Sequence, residues 1–201
     1  DAKGIVQRGL TGIITKGTIM NSESLKENEF NYIGNILDFN HCYVICYTDI
    51  TTGVIYISKI EANPSKLVSE IVSLGLKEVL VQSTLDKSIT SLLKNQFNIS
   101  ISISDEINEI EEYKYIYSDI EDERLIKTIK HLITYVSDIK MTSLSHLQKA
   151  IIKENKNYLK MDIHTKRNLE LTESMRNKER MFSLLWLLDE TKTAMGSRKL
   201  K

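Results

Sequence analysis

The stretch NPSKLVSEIVSLGLKEVLVQ, residues 63–82, decides the fold class. Asn63 suits the N-cap of a helix and Pro64 suits its first position. Apolar residues then recur at helical spacing before a glycine, which predicts a helix that ends there: Leu67, Ile71 and Leu74, followed by Gly75. The run Glu78–Gln82 is short and rich in valine, which is typical of a buried strand. A helix followed at once by a buried strand predicts an α/β architecture.

The segments on either side extend this pattern into a sheet. Upstream lie three strand-like runs rich in Ile, Val and Tyr: Tyr32–Leu37, Tyr43–Thr48 and Val54–Ser58. The residues 51–53 read Thr-Thr-Gly, which predicts a hairpin between the second and third runs. Downstream lie an amphipathic helix, an edge strand that alternates Ile and Ser, and a long amphipathic helix: Leu85–Asn95, Ile99–Ser104 and Asp122–Asp138. The order β-β-β-α-β-α-β-α predicts a mixed sheet and resembles the ribonuclease-H-like fold.

Composition bounds the class of protein. Of the 201 residues 41% are hydrophobic, with one Pro and eight Gly, which favours an ordered domain. No apolar run approaches the roughly 18–20 residues that cross a bilayer, and no signal-peptide pattern opens the chain, so we expect a cytoplasmic protein without a membrane partner. Residues 1–145 carry 20 acidic and 14 basic side chains, whereas residues 146–201 carry 7 and 13. This charge break predicts a domain boundary near residue 145.

The two cysteines, Cys42 and Cys46, lie four residues apart in an apolar run. Positions i and i+4 of a strand are about 13 Å apart, so the pair cannot form a disulfide within one strand. Together with His41 they do not supply the four ligands of a tetrahedral zinc site. We therefore predict two reduced core cysteines.

Two charged segments could contact other molecules. The acidic stretch, residues 105–123, holds nine acidic side chains and one Lys, which predicts a solvated loop or a docking surface for a basic partner. The basic segment Lys149–Lys166, with further basic residues at Arg167, Arg176, Lys178 and Arg180, could contact DNA phosphates. Few aromatic residues interleave it, so a structural or interdomain role is the favoured interpretation.

The strand order raises a nuclease hypothesis, because ribonuclease-H-like enzymes gather carboxylates to hold two divalent metal ions. The carboxylates available here follow strands or open a helix: Asp38, Asp49 and Asp86. Such positions are typical of turn and cap residues. We therefore predict no catalytic and no metal-binding residue, and keep a ribonuclease-H-like metal-dependent nuclease domain as the alternative.

The remaining candidates predict no cofactor-binding or catalytic residue either. The histidines show no Ser-His-Asp or Cys-His pattern: His131 on a face or boundary of the long helix, His146 and His164 near the junction. Trp186 lies among leucines, which predicts core packing rather than base stacking.

Two long motifs occupy the C-terminal part of the chain. Residues 161–171 read MDIHTKRNLEL, and residues 183–198 read SLLWLLDETKTAMGSR. Both resemble the opening of the core (lever) domain of the MutS family of DNA mismatch-repair proteins, which shows Leu-Asp-x-x-Thr-Arg-Arg-Asn-Leu-Glu-Leu and then Leu-Leu-Trp-x-Leu-Asp-x-Thr-x-Thr-x-Met-Gly-x-Arg. The predicted strand order is also that of the MutS connector domain. Residues 15–18, Thr-Lys-Gly-Thr, resemble the segment that leaves the family's mismatch-reading domain, with Lys16 where the family commonly has Pro.

The resemblance implies three parts. Residues 1–20 are the exit segment of the mismatch-reading domain, residues 21–145 a ribonuclease-H-like connector domain, and residues 146–201 the truncated N-terminal part of the all-α core/lever domain. The chain would then be a non-enzymatic piece that couples the mismatch-reading domain to the lever and ATPase parts and offers a docking surface to a MutL-type protein. The family's segment near that docking surface is usually longer than residues 105–121, so altered docking or a divergent homologue stays open.

Two family motifs are missing from the sequence. No Gly-x-x-x-x-Gly-Lys-Ser/Thr occurs, and no Phe has a Glu two residues on, so neither the Walker ATPase motif nor the mismatch reader lies in this chain. The resemblance therefore implies ATP, Mg and mismatched DNA for the parent protein, a DNA-dependent ATPase expected to be a homodimer. It implies no cofactor for this piece.

The C-terminal part is predicted to hold an extended segment and three helices. The extended segment covers Gln148–Lys153, and Asp162 caps a first helix that carries Leu169 and Met175. A very apolar second helix lies around Met181–Leu188, and Thr193 is the N-cap of a third. A part this small buries little surface. We therefore expect its apolar face to stay partly uncovered: Leu184, Leu185, Leu187 and Leu188.

Overall fold

The computed structural model describes residues 15, 17, 31–140, 144–153, 161, 163–177, 179–193, 196–197 and 200. Its strands are β1 (Tyr32–Asp38), β2 (Cys42–Asp49), β3 (Ile55–Glu61), β4 (Glu78–Val81), β5 (Ser100–Ile103) and β6 (Ile151–Ile152). Its helices are α1 (Pro64–Leu74), α2 (Lys87–Phe97), α3 (Glu123–Lys140), α4 (Ile163–Asn168) and α5 (Leu184–Leu188), with a 3₁₀ helix at Glu111–Tyr117. None of the helices in this part of the chain is long and apolar enough to cross a membrane.

The six strands form one mixed sheet in the order β5-β4-β1-β2-β3-β6. β1, β2 and β3 form an antiparallel meander, and β4, β5 and β6 add in parallel to β1, β4 and β3. The predicted mixed sheet and the edge position of β5 are confirmed. β6 lies at the opposite edge. Both edge strands are therefore short, with four residues in β5 and two in β6.

Local sequence signals set the helix ends. The Asn63 side chain accepts the backbone N–H groups of Ser65 and Lys66, and Gly75 ends α1 with a φ of 68°. α2 begins two residues later than predicted, because the Asp86 side chain accepts the N–H of Ser88 and caps the helix there. The buried Leu85 therefore precedes α2 instead of opening it.

Alternation along β2 places side chains on both faces of the sheet. Cys42, Val44 and Cys46 pack with α3 and the 3₁₀ helix on one face. Tyr43, Ile45 and Tyr47 pack with α1 and α2 on the other. Both cysteines are free and buried, as predicted, and burial raises the pKa of the Cys46 thiol. The result is a three-layer sandwich with two apolar cores, which we call the sheet unit (residues 31–153).

The predictions for the acidic stretch and for the C-terminal helices need correction. The acidic stretch is not a solvated loop throughout, since its centre forms the 3₁₀ helix that buries Tyr113 and Ile116. α4 ends at Asn168, so neither Leu169 nor Met175 lies in it; the N-cap predicted at Asp162 falls outside the described residues. α5 covers Leu184–Leu188, with Ser183 accepting the N–H of Trp186. Thr193 behaves as predicted, since its hydroxyl accepts the N–H of Gly196.

Candidate functional site

The three carboxylates of the nuclease hypothesis do not form one site. Asp38 pairs with Tyr43 and Asp49 pairs with Tyr32, so the two acids lie at opposite ends of β1, about 20 Å apart at the rise of a strand. Each carboxylate accepts a backbone N–H of its own turn or cap. Asp38 accepts from Asn40, and Asp49 accepts from Thr51. Asp86 accepts from Ser88. Within the described residues, no group of three or more His, Cys, Asp or Glu could hold a metal ion.

The middle of β1 carries an amide where a metal ligand would be needed. Asn35 is fully buried, and its Nδ2 donates to Thr128 O at 2.8 Å and to His131 Nδ1 at 3.0 Å. Because a carbonyl only accepts, His131 Nε2 must be the protonated nitrogen that donates to Ser104 O at 2.9 Å. This network ties α3 to β1 and to the end of β5 through Asn35 Nδ2 and the His131 ring, while the buried Asn35 Oδ1 has no hydrogen-bond partner among the described residues.

His131 was predicted on a face or boundary of the long helix, and that prediction is wrong. Its side chain is fully buried, and burial lowers its pKa. The apolar stripe of α3 does not include it, and the segment after β5 covers this flank of the helix by a tertiary contact. The periodicity of apolar residues along α3 could not have predicted the burial of His131.

The acidic stretch is joined to the C-terminal end of the sheet unit. The Tyr115 hydroxyl donates to Leu147 O at 2.7 Å, and Leu144 N donates to the Tyr113 hydroxyl at 3.0 Å. Leu144 and Leu147 are buried in the core that α3 covers. The apolar residues of the stretch therefore fix the junction, while its carboxylates face solvent.

Surface ion pairs hold some of those carboxylates. Glu109 accepts from Lys130 and Lys114, which lower its pKa to about 2, and Asp119 accepts from Lys149 at 2.8 Å. Glu106 and Glu121 are also exposed. The acidic stretch thus presents a negative surface on an ordered backbone.

The junction after the sheet is held by backbone and side-chain contacts. Lys153 N donates to Ile57 O at 2.8 Å, which continues the pairing of β6 with β3. The Lys153 ammonium lies 4.4 Å from the ring centroid of Tyr56 and 5.5 Å from that of Tyr47. These are cation–π distances. Partial desolvation lowers the pKa of this lysine.

The basic segment is partly engaged in contacts within the chain. Lys149 pairs with Asp119, Lys153 packs on the two tyrosines, and Arg180 pairs with Asp189. Arg167 and Arg176 are exposed, while Lys178 lies outside the described residues. Contact between the basic segment and DNA phosphates stays a prediction.

The junction histidines have structural surroundings where they are described. His146 Nε2 donates to Ile50 O at 2.6 Å. Gly53, with a φ of 72°, lies so near that a Cβ there would meet His146 O at 2.3 Å, which explains the glycine in this hairpin. The side chain of His164 lies outside the described residues.

Trp186 was predicted to pack in a core, and the structure corrects this. It is 46% exposed, and its ring lies 5.4 Å from that of Phe182, which is also exposed. The expectation of an uncovered apolar face is confirmed for the residues of α5 that are exposed: Leu184, Leu187 and Leu188. Surrounding leucines misled the sequence argument, because they too are on the surface.

Fold and surfaces together define an α/β domain that offers no metal-binding cluster in its described residues and continues into a segment with one exposed apolar helix, α5. Comparison with known families identifies both parts. A model of MutS domain II matches residues 31–148, and a model of MutS domain III matches residues 164–201.

Individual relatives agree with the family models. The chain is 39% identical over 201 residues to the DNA mismatch repair protein MutS of Oceanobacillus iheyensis, and 40% identical over 200 residues to that of Bacillus licheniformis. It is 39% identical over 203 residues to the MutS of Bacillus subtilis. Each match covers all of this chain but only 23% of the relative. The chain belongs to the MutS family, and it spans about a quarter of the length of the curated relatives it matches.

Proposed function

We propose that this chain is the connector domain and the first part of the core (lever) domain of a MutS-type mismatch-repair protein, with no enzymatic activity of its own. Residues 1–20 are the exit segment of the mismatch-reading domain, residues 21–145 a ribonuclease-H-like connector, and residues 146–201 the start of the lever. The connector couples the mismatch-reading domain to the lever and ATPase parts. The whole protein binds mismatched DNA, ATP and Mg, and acts as a homodimer in the cytoplasm.

One observation carries this proposal. MutS domains II and III match in sequence order within a chain that the MutS relatives cover from end to end. The geometry supports a coupling role, because the residues that lead toward the lever are built into the sheet unit: Leu144 and Leu147 in a core, β6 on the sheet edge. Movement of the lever would therefore act directly on the sheet.

ATP binding tests the non-enzymatic part of the proposal. The purified 201-residue chain should neither hydrolyse ATP nor bind it in a titration with Mg present, because the sequence contains no Walker motif. Tight binding or measurable hydrolysis would sink the proposal. The same chain should not cleave DNA with Mg²⁺ or Mn²⁺; cleavage lost in Asp38→Asn or Asp49→Asn would revive the nuclease alternative.

The docking of a MutL-type protein is the second part of the proposal, and the acidic stretch is its candidate surface. Binding should be measured between the chain and the MutL of the same organism. Reversing two exposed charges, Glu106→Lys with Glu121→Lys, should weaken binding by at least about tenfold at low salt, since opposite charges accelerate and orient association. Glu173→Lys, an exposed acid after α4, is the matched control. Equal affinities in all three proteins would place the docking surface elsewhere.

A further inference from the structure

Glu78, the first residue of β4, is a fully buried acid that connects four separate segments of the chain. Its Oε1 accepts the Ser102 hydroxyl of β5 at 2.7 Å and the Tyr135 hydroxyl of α3 at 2.7 Å. Its Oε2 accepts the backbone N–H of Gly17 at 2.9 Å. The three donors are 24, 57 and 61 residues away in sequence. The sequence pattern identifies Glu78 only as the start of a buried strand.

The Gly17 contact depends on an unusually close approach of the backbone. A Cβ at this position would lie 2.9 Å from the Cβ atoms of both Glu78 and Ile33. Real Cβ atoms do not pack so closely, and neither neighbour can swing away, because both atoms are anchored to strands of the sheet. Only glycine allows the chain to come near enough for its N–H to reach the carboxylate.

The chemistry of Glu78 favours this arrangement. A carboxylate accepts several hydrogen bonds and donates none, so donors from three directions satisfy it while it is buried. Burial, and then the Glu78 carboxylate, raise the pKa of Tyr135, which keeps its hydroxyl protonated and donating. Removing the acceptor would leave the buried Gly17 N–H without a partner, which is costly.

We propose that Glu78 is the positioning residue that fixes the backbone at Gly17 on the sheet unit, by binding the Gly17 amide at a close approach that only glycine permits. Through Ser102 and Tyr135 the same carboxylate joins Gly17 to the sheet edge and to α3. The assignment deepens the proposed coupling role and rests on it: a displacement arriving from the preceding domain reaches the sheet unit at this carboxylate.

Hydrogen exchange of the Gly17 amide, followed by NMR in the 201-residue chain, tests the contact. Glu78→Ala should speed exchange of this amide by about ten- to a hundredfold relative to the wild type, because the amide loses its buried hydrogen-bond acceptor. Glu78→Gln keeps one oxygen for Gly17 and should restore most of the protection. Unchanged Gly17 exchange in Glu78→Ala would overturn the proposal.

Matched controls separate this contact from general stability. Tyr135→Phe and Ser102→Ala each remove a donor to Oε1 and leave Oε2 for Gly17, so Gly17 exchange should stay within about threefold of the wild type. Equal acceleration in Tyr135→Phe and Glu78→Ala would mean that Gly17 reports only global opening, and the proposal would fail.

A second variant covers the case in which Glu78→Ala does not fold. Gly17→Ala should leave the sheet unit folded, so its urea unfolding midpoint should stay within a few tenths of a molar of the wild-type value. Because only the backbone at Gly17 is displaced, tryptic cleavage after Lys16 should speed up by at least about tenfold. Cleavage at the wild-type rate would contradict the proposal. Either failure leaves the non-enzymatic and MutL-docking parts of the proposed function unaffected, because the ATP and MutL experiments do not involve Gly17.

Discussion

The sheet unit and the C-terminal segment (residues 161–200) use their apolar residues in opposite ways. In the sheet unit both faces of the sheet are covered, and large side chains such as Ile33, Ile45 and Leu93 are fully buried. In the described part of the C-terminal segment the buried residues are three serines, Ser174, Ser183 and Ser197, whereas Phe182 and Leu187 are 68% and 69% exposed.

The C-terminal segment keeps its shape by polar contacts instead of a core. Ser183 caps α5, and Asp189 gathers Arg180, Thr191 and Ser197 around its carboxylate. These hydrogen bonds lower the pKa of Asp189, with those from Thr191 the largest cause. Such contacts define a local conformation, but burial of apolar surface supplies most of the stability of a folded unit. From this comparison we expect the sheet unit to fold independently and the C-terminal segment to be less stable on its own.

Limited proteolysis should show the largest difference between the two regions. The sheet unit must unfold globally before it is cut, whereas the C-terminal segment needs only local opening, so initial cleavage rates should differ by more than about a hundredfold. Early cuts are expected between about residues 139 and 160 or C-terminal to them. The proposed boundary at residue 145 can be sharpened here, because the sheet's hydrogen bonds continue to Lys153. Survival of the C-terminal piece while residues 21–145 are degraded would reverse the comparison.

The same substitution placed in each region should give unequal losses of stability. Leu93→Ala in α2 removes a fully buried side chain and should lower the free energy of unfolding by about 2–5 kcal/mol. Leu187→Ala in α5 removes an exposed one and should change it by less than about 0.5 kcal/mol. Urea unfolding measures both. A large effect of Leu187→Ala would mean that another copy of the chain covers α5 in solution, and the size of the particle in solution would then show it.

Much of the sheet unit was predictable, because its elements obey local rules. Asn63, Pro64 and Gly75 bound α1 as expected, and alternation along β2 sorted its side chains between two cores. The order of strands and helices followed from these signals alone.

What sequence missed depends on contacts between distant segments. Glu78 became important only when Gly17, Ser102 and Tyr135 met around it, and His131 only when Ser104 covered its helix flank. The prediction for Trp186 failed in the other direction, because its leucine neighbours predict burial but its side chain is 46% exposed among the described residues. Local sequence patterns limit the environments that a side chain can occupy, and contacts between distant segments determine which of them it has.

The buried His131 should make the stability of the sheet unit depend on pH. Burial lowers the pKa of His131 below its ordinary value near 6.5, so the unfolded chain binds more protons than the folded one as the pH falls. The contribution of His131 to the free energy of unfolding is therefore complete above about pH 6.5. It is lost on acidification, by at most about 1.4 kcal/mol per pH unit. His131→Gln does not titrate and should show a shallower slope between pH 6.5 and 5 in urea unfolding. Parallel slopes for the two proteins would show that His131 does not titrate on unfolding.

A small effect is expected where the two regions join, at Lys153. Lys153→Met keeps the apolar stem and removes the charge above Tyr56, which should cost about 0.5–1 kcal/mol, the value of an exposed cation–π contact. Lys149→Met is the matched control four residues earlier, since its ion pair with Asp119 is solvent-exposed and its loss should change stability less than Lys153→Met does.

A double-mutant cycle with Tyr56→Leu isolates the contact, because the effect of Lys153→Met should shrink once the ring is gone. If it does not shrink, the Lys153 side chain adds nothing to the junction. The hydrogen bonds of β6, together with the buried Leu144 and Leu147, would then couple the two regions.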